Sequence, residues 1–283
     1  IIDKQWNVLL CDAGARLCPV SDFIESCIST HVHLERGPYT RDWVRRFTDT
    51  ARERGVAELY LLEHSHRFQE FGPLYADIAK YNEYQALWFQ NQMKVSLSAY
   101  TDLIGQCRRE EYPVKIHWGL EIYYIPGKEE IIADILEQFE FDFTTGSIHW
   151  IDHWGFDHKA EFWKGRDVDQ LYDRYYESMV DLVKSGLFGH LAHPDSIKCF
   201  NHYPKLDQTE KYLKLARVLK TADMAVEFSS GLVINYGHKE LGINRTLLNI
   251  LKKEKIKLIT ASDAHRLEDV GRWIRESLEI IGK

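Results

Sequence analysis

The sequence predicts an α/β fold assembled from repeated strand–helix units, and three observations lead there. Short β-branched or aromatic runs alternate with longer stretches of helical period from about residue 24 onward. No Pro/Gly/Ser-rich linker, internal repeat or shift in charge divides the 283 residues, so a single domain over 1–283 is expected. Neither GxGxxG nor GxxxxGKS/T follows the first strand, which disfavours a nucleotide-cradling fold. Periodicity alone leaves two architectures open: a closed or nearly closed βα barrel and an open doubly wound sheet.

Seven strands are expected, at Ile24 to His33, Val56 to Leu62, Val114 to Tyr123, Phe141 to His149, Leu187 to His193, Met224 to Ser229 and Ile256 to Ala261. Helices are expected near 41–54, 74–108, 129–138, 168–185, 208–221, 240–254 and 268–281. Over 168–185 the apolar positions Val168, Leu171, Tyr172, Tyr175, Met179, Leu182 and Val183 recur at three- and four-residue steps, and Gly186 follows as a stop. That stripe should face a sheet. The stretch 74–108 is long for one helix and rich in Tyr, Gln and Asn, which predicts two helices or a helix with a flanking lid. Residues 1–23 form an N-terminal extension with few periodic signals.

Composition narrows the function. With 36 Lys+Arg against 43 Asp+Glu the formal charge is −7, and 45% of the residues are apolar, enough for a sizeable core. A basic nucleic-acid-binding domain and a disordered chain are excluded on those grounds, and nucleic acid is not an expected partner. Cysteines 11, 18, 27, 107 and 199 are odd in number and form no CxxC pair, so neither a disulfide framework nor a zinc knuckle is expected. There is no run of 18 apolar residues and no signal-peptide pattern, which predicts a cytoplasmic protein with no membrane partner. A homo-oligomer is compatible with this composition.

The 13 histidines carry the chemistry through their placement. In His31-Val32-His33 the two imidazoles point to one side of the first strand, and Glu35 follows. Glu63-His64-Ser65-His66 comes after the second strand, Gly119-Leu120-Glu121 lies at the third and Gly146-Ser147-Ile148-His149 at the fourth. The fifth brings His190 and His193-Pro194-Asp195, the seventh Ser262-Asp263-Ala264-His265, and the sixth no charged residue beyond Glu227. A lone histidine at such a place is more often packing than ligand. Histidines gathered after successive strands, interleaved with Glu121 and Asp263, instead suggest one metal-binding rim. Nitrogen and carboxylate donors without thiolate suit zinc, manganese or iron, and their number suits two or three divalent ions, with Glu121 the best bridging carboxylate.

The succession HxH, EH, GLE, GSIHW, HPD and SDAH resembles the PHP (polymerase and histidinol phosphatase) family over about residues 28 to 272, and Gly119-Leu-Glu-Ile-Tyr with Gly146-Ser-Ile-His-Trp looks most like its histidinol-phosphatase branch. The resemblance implies a distorted (β/α)7 TIM-like barrel whose trinuclear site hydrolyses phosphomonoesters. Carried onto this chain, His31, His33, Glu121 and Asp263 would surround one ion, Glu121, His149 and His193 a second with a bridging hydroxide, and His64 and His265 a third. His193 is preferred over His190 because His193-Pro-Asp-Ser-Ile-Lys matches the family phrase. The chain departs from the pattern at Ser29, where the family often has Asp, and in Glu227-Phe-Ser-Ser-Gly-Leu-Val, which lacks an Arg common in histidinol phosphatases.

The function this implies is hydrolysis of L-histidinol phosphate to L-histidinol and phosphate. Asp263 would orient the nucleophile, and His265 or His66 would act as the acid for the leaving alkoxide. Arg36, Arg67 and Lys198, close behind three of the ligands, are the expected contacts of the small phosphorylated metabolite, with Glu35, Asp152 or Asp195 facing its ammonium or imidazole. Tyr39, Trp118, Trp150 and Trp154 are candidates to line the pocket. Rival readings are a phosphoesterase of another small metabolite, a barrel hydrolase of amides or lactones, and a non-catalytic metal-binding protein.

Overall fold

The computed structural model describes residues 27–282. The extension 1–23, the first residues of the expected strand at 24–26, and Cys11 and Cys18 lie outside the described residues. Seven parallel strands follow one another around a sheet in chain order: β1 (Ile28–His33), β2 (Glu58–His64), β3 (Lys115–Tyr123), β4 (Phe143–Ser147), β7 (His190–Leu191), β8 (Ala225–Ser229) and β9 (Leu258–Ala261). All seven match expected strands. Two short strands, β5 (Trp150–Ile151) and β6 (Trp154–Gly155), form a separate antiparallel hairpin too short to announce itself in the sequence.

The last strand returns to the first, which makes the sheet a distorted (β/α)7 barrel and not an open sheet. Closure uses few backbone bonds: Val32 bridges Ala264, and the His33 amide donates to the Ala264 carbonyl at 2.9 Å. Hydroxyls complete the seam. Thr30 Oγ1 donates to the Thr260 carbonyl at 3.1 Å, Thr260 Oγ1 to the Ile28 carbonyl at 2.5 Å, and Ser29 Oγ meets Ser262 Oγ at 2.9 Å. Ser29 thus belongs to the seam.

Period-two alternation sorts each strand between helix layer and barrel interior. On β3, Trp118, Leu120 and Ile122 belong to the hydrophobic core, while Gly119 and Glu121 share the opposite face with His117. A Cβ on Gly119 would lie 2.4 Å from the Phe143 ring, so glycine there lets that ring fill the interior.

Of the helices, α1 (Arg41–Glu53) is capped by Thr40. The expected 74–108 segment is three helices, α2 (Gly72–Ala79), α3 (Glu83–Gln92) and α4 (Leu97–Cys107). Pro73 starts the first, and the Asn82 and Ser96 side chains accept from Gln85 and Ser98 amides to start the others. After α5 (Glu129–Leu136) comes α6 (Val168–Ser185), capped by Asp167 and ended by Gly186 at φ 70°. Its Tyr172, Tyr175, Met179, Leu182 and Val183 are buried, as the stripe predicts. The remaining helices are α7 (Thr209–Ala222), α8 (Gly231–Tyr236), α9 (Arg245–Lys253) and α10 (Ile274–Gly282), of which only the short α8 was not expected. No helix of the described residues is long and apolar enough to cross a membrane.

Candidate metal centre

Glu121 sits on β3 with its side chain fully buried, and imidazoles approach both of its oxygens. Oε2 lies 2.6 Å from His64 Nδ1, 3.3 Å from His31 Nε2 and 3.6 Å from His33 Nε2. Oε1 lies 3.2 Å from His149 Nε2 and 3.3 Å from His193 Nε2. Asp263 Oδ1 is 3.7 Å from both His31 and His33 Nε2 and 3.4 Å from His265 Nε2. Donor atoms of three overlapping groups, His31/His33/Asp263, His31/Glu121/His193 and His33/His64/His265, lie within 4.8 Å of one another.

The arrangement passes a test of fit for metal. His31 Nε2 and His33 Nε2 are 2.9 Å apart, and Glu121 Oε2, although crowded by imidazoles, has no hydrogen-bond partner among the described residues. Buried donor atoms aimed at a common centre are costly unless a cation gathers them. Outer nitrogens of three imidazoles are meanwhile held by carboxylates. His31 Nδ1 meets both Glu227 oxygens at 3.0 Å, His149 Nδ1 meets Asp157 Oδ2 at 2.6 Å, and His265 Nδ1 meets Glu35 Oε1 at 2.7 Å. A proton shared with the carboxylate at Nδ1 leaves the Nε2 lone pair facing inward, as a metal-binding histidine requires.

The electrostatics agree. Burial alone would depress His31, but Glu227, Glu121 and Asp263 hold it well above the usual imidazole range. Burial likewise opposes the charge on Glu121, yet His64 and His31 keep its carboxyl well below the ordinary value. Three carboxylates around one imidazole call for positive charge, which divalent cations would provide. Backbone strain falls at the same place: His193 has φ 22° and Asp263 φ 52°, left-handed conformations that non-glycine residues seldom adopt. Gly231 makes room for Asp263, since a Cβ there would lie 1.9 Å from Oδ2.

A cavity of about 380 Å³ opens over the centre, within the range of small-molecule sites, and Glu35, Arg36, His64, His149, His193 and Asp263 are among its lining residues, with His265. His31, His33 and Glu121 lie fully buried within the cluster. Three expected residues are elsewhere. Lys198 is 1% exposed, with Nζ 2.6 Å from Asp195 and 2.5 Å from Glu240, so it ties the turn after β7 to a distant loop and does not line the cavity. Arg67 turns its guanidinium to Glu63 and Glu35, both at 3.4 Å, and is not among the residues that line the cavity. His66 packs among His64, Trp88 and Tyr123, and burial pushes it well below the usual range, which ill suits a proton donor.

Other expectations shift as well. Asp152 is exposed beside Arg174 at 3.1 Å, and Asp195 is taken by Lys198 and Asn244. Trp118, Trp150 and Trp154 are core residues, and Tyr39 packs against that core; the aromatics on the cavity wall are Tyr123 and Tyr236. His190 packs against Phe143 at 5.6 Å, away from the ligand cluster. Glu227 and Asp157 were not foreseen as the carboxylates that hold His31 and His149. Glu227 had a signal, a lone acid in the sixth strand; Asp157, beyond a hairpin, had none.

The chain has relatives consistent with this geometry. Residues 29–231 match the model of the PHP domain. A Deinococcus radiodurans protein named "Probable histidinol-phosphatase" is 28% identical over 196 residues, 65% of this chain and 72% of that one. The crystal structure of the hisK protein of Listeria monocytogenes superposes with a TM-score of 0.71 at 18% identity, covering 88% of this chain and 98% of that one. The histidinol phosphate phosphatase of Lactococcus lactis subsp. lactis, solved with zinc, L-histidinol and phosphate, gives 0.66 at 18% identity over 90% of this chain and 94% of that one.

Proposed function

The chain belongs to the PHP domain family, and from that premise we propose that it is a metal-dependent phosphatase that hydrolyses L-histidinol phosphate to L-histidinol and phosphate. One observation carries the reading: a ring of inward-facing imidazole and carboxylate donors, several tethered from behind by carboxylates, at the base of a cavity of about 380 Å³. His31, His33, Glu121 and Asp263 would hold one ion, Glu121, His149 and His193 a second, and His64 with His265 a third. When bound, divalent ions of the zinc, manganese or iron kind supply Lewis acidity, polarising phosphate oxygens and lowering the pKa of water.

The chain's own residues do the rest. Glu227, Asp157 and Glu35 fix imidazole orientation, and Arg36, on the cavity wall, offers a cation to the phosphate. Burial opposes a proton on His265, but Asp263 and Glu35 raise its pKa to about 10. Where only the first two ion positions are filled, His265 is not a ligand, keeps its proton at neutral pH and is the group able to pass it to the departing alkoxide. The acidic net charge is no obstacle to a phosphate dianion, because the local field at the cavity governs its binding.

Metal analysis of the purified protein, combined with phosphate release from L-histidinol phosphate, tests the proposal. Between two and three divalent ions per chain are expected, with turnover abolished by chelation and restored by zinc, manganese or iron. Absence of bound metal together with absence of phosphate release after reconstitution would refute it.

A further inference from the structure

The residues on either side of Asp263 are bound into the barrel seam, and Asp263 itself is not. Ser262 Oγ meets Ser29 Oγ at 2.9 Å, and the Ala264 carbonyl accepts from the His33 amide at 2.9 Å. Between them Asp263 turns to φ 52°, and its carbonyl takes no backbone donor among the described residues. A peptide carbonyl turned out of a ladder calls for another partner. Asn235 supplies it: Nδ2 lies 3.1 Å from the Asp263 carbonyl oxygen and 3.4 Å from Oδ2 of the same residue. Both facing atoms are acceptors, so the amide presents its NH2 to them.

The short helix α8 is shaped for this contact. Gly231 and Asn235 are four residues apart and share one face of it. Gly231 leaves the space that Oδ2 occupies, since a Cβ there would lie 1.9 Å away, and Asn235 brings the donor. The start of α8 is in turn fixed to the end of β9. The Ser230 amide donates to the Ala261 carbonyl at 2.9 Å, and Ser230 Oγ lies 3.1 Å from that carbonyl and 3.0 Å from the Arg272 carbonyl. With Oδ2 against Gly231 and Asn235, Oδ1 is left facing His265 at 3.4 Å and His31 and His33 at 3.7 Å.

We propose that Asn235, on the cavity wall, is a positioning residue for Asp263: its amide holds the left-handed backbone and one carboxylate oxygen, so that the other stays directed at the imidazole cluster. The assignment rests on the metal-dependent phosphatase reading above. A neutral amide suits the task, because it orients the carboxylate and leaves its charge for a divalent ion, where a lysine or arginine would compete with that ion. The same contact answers the cost of a left-handed backbone at a non-glycine residue, which neither seam neighbour can do.

Asn235→Leu keeps the bulk of the side chain and removes its amide, and Asn235→Gln keeps the amide one methylene farther out. Asn235 is exposed, so both variants should retain native circular dichroism and melt close to the wild type. Cobalt(II) serves as the probe. Against a chelator the leucine variant should hold cobalt about tenfold more weakly and with an altered visible spectrum, and the glutamine variant should fall between it and the wild type. With L-histidinol phosphate, the leucine variant should lose about tenfold in kcat with KM changed less than about twofold. Wild-type cobalt affinity and spectrum in the folded leucine variant overturn the positioning role, and so does a rise in KM alone, which would make Asn235 a substrate contact. If the wild type hydrolyses no ester, the phosphatase reading falls, and the cobalt measurements still decide whether Asn235 positions Asp263.

Discussion

Histidines occupy two levels of the same barrel interior, and what their rings converge on differs. At the upper level His31, His33, His64, His149, His193 and His265 converge on Glu121 and Asp263, with carboxylates behind three of the rings. Lower down, His117 stacks on Tyr60 at 4.1 Å, and His190 packs beside Phe143 at 5.6 Å and Tyr60 at 6.1 Å. Titration follows the neighbours. His31 is held well above the ordinary imidazole range by its carboxylates in spite of burial, whereas burial moves His190 below it. A carboxylate behind the ring does not by itself mark a candidate ligand, since His117 meets Glu58 Oε2 at 2.8 Å; the candidates are the imidazoles whose nitrogens face Glu121 or Asp263.

The largest break in this contrast should come from Glu121→Gln. An amide keeps the size but removes the charge around which five imidazoles gather. Metal content should fall, and activity should drop on the order of 10³-fold. Full activity with a full complement of metal would remove Glu121 from the centre. Gly231→Ala acts on Asp263 alone: its new Cβ would collide with Oδ2, displacing that carboxylate by a substantial fraction of an ångström or more. A loss of about 10²-fold in kcat is expected, with the melting temperature falling less steeply than activity. Unchanged kcat would mean that the position of Asp263 is immaterial.

Glu227→Gln tests the support behind the ring. The amide oxygen still accepts from His31 Nδ1, but the charge that favours an inward lone pair is gone. Metal affinity should weaken about 10–100-fold in a competition titration with a chelator. An unaltered titration would show that Glu227 does not tune His31.

That residue also marks how far the sequence could be read. Parallel strands covered by helices appear as continuous apolar runs, which is why all seven were visible, and strand-end motifs such as His31-Val32-His33 and Gly119-Leu120-Glu121 exposed the candidate ligands because period two puts HxH on one side. The three helices of 72–107 were merged because their breaks are single caps at Asn82 and Ser96 within a polar stretch. Glu227 was visible as a lone acid, but its role depends on His31, 196 positions away. Lys198 misled for the opposite reason. Nearness in sequence to His193 says nothing of direction, and a short helical turn carries its ammonium into a buried ion pair with Asp195.

The smallest effect should come from the lower level. His190→Phe exchanges a ring of similar size in a surrounding of Tyr60 and Phe143, and it removes Nδ1, a buried atom with no hydrogen-bond partner among the described residues. At pH 8 the stability change should be within about 1 kcal/mol, with metal content unaltered. The pH dependence has a definite sign. Because the folded-state pKa of His190 lies below its value in the unfolded chain, the unfolded state binds more protons between the two, and wild-type stability falls as pH drops through that interval. Phenylalanine has nothing to protonate. Denaturant melts from pH 8 to pH 5 should therefore show the variant gaining on the wild type as the solution becomes more acidic, whereas parallel curves would mean that His190 carries its proton as readily folded as unfolded and that the lower level is not the apolar surrounding that separates it from the metal centre.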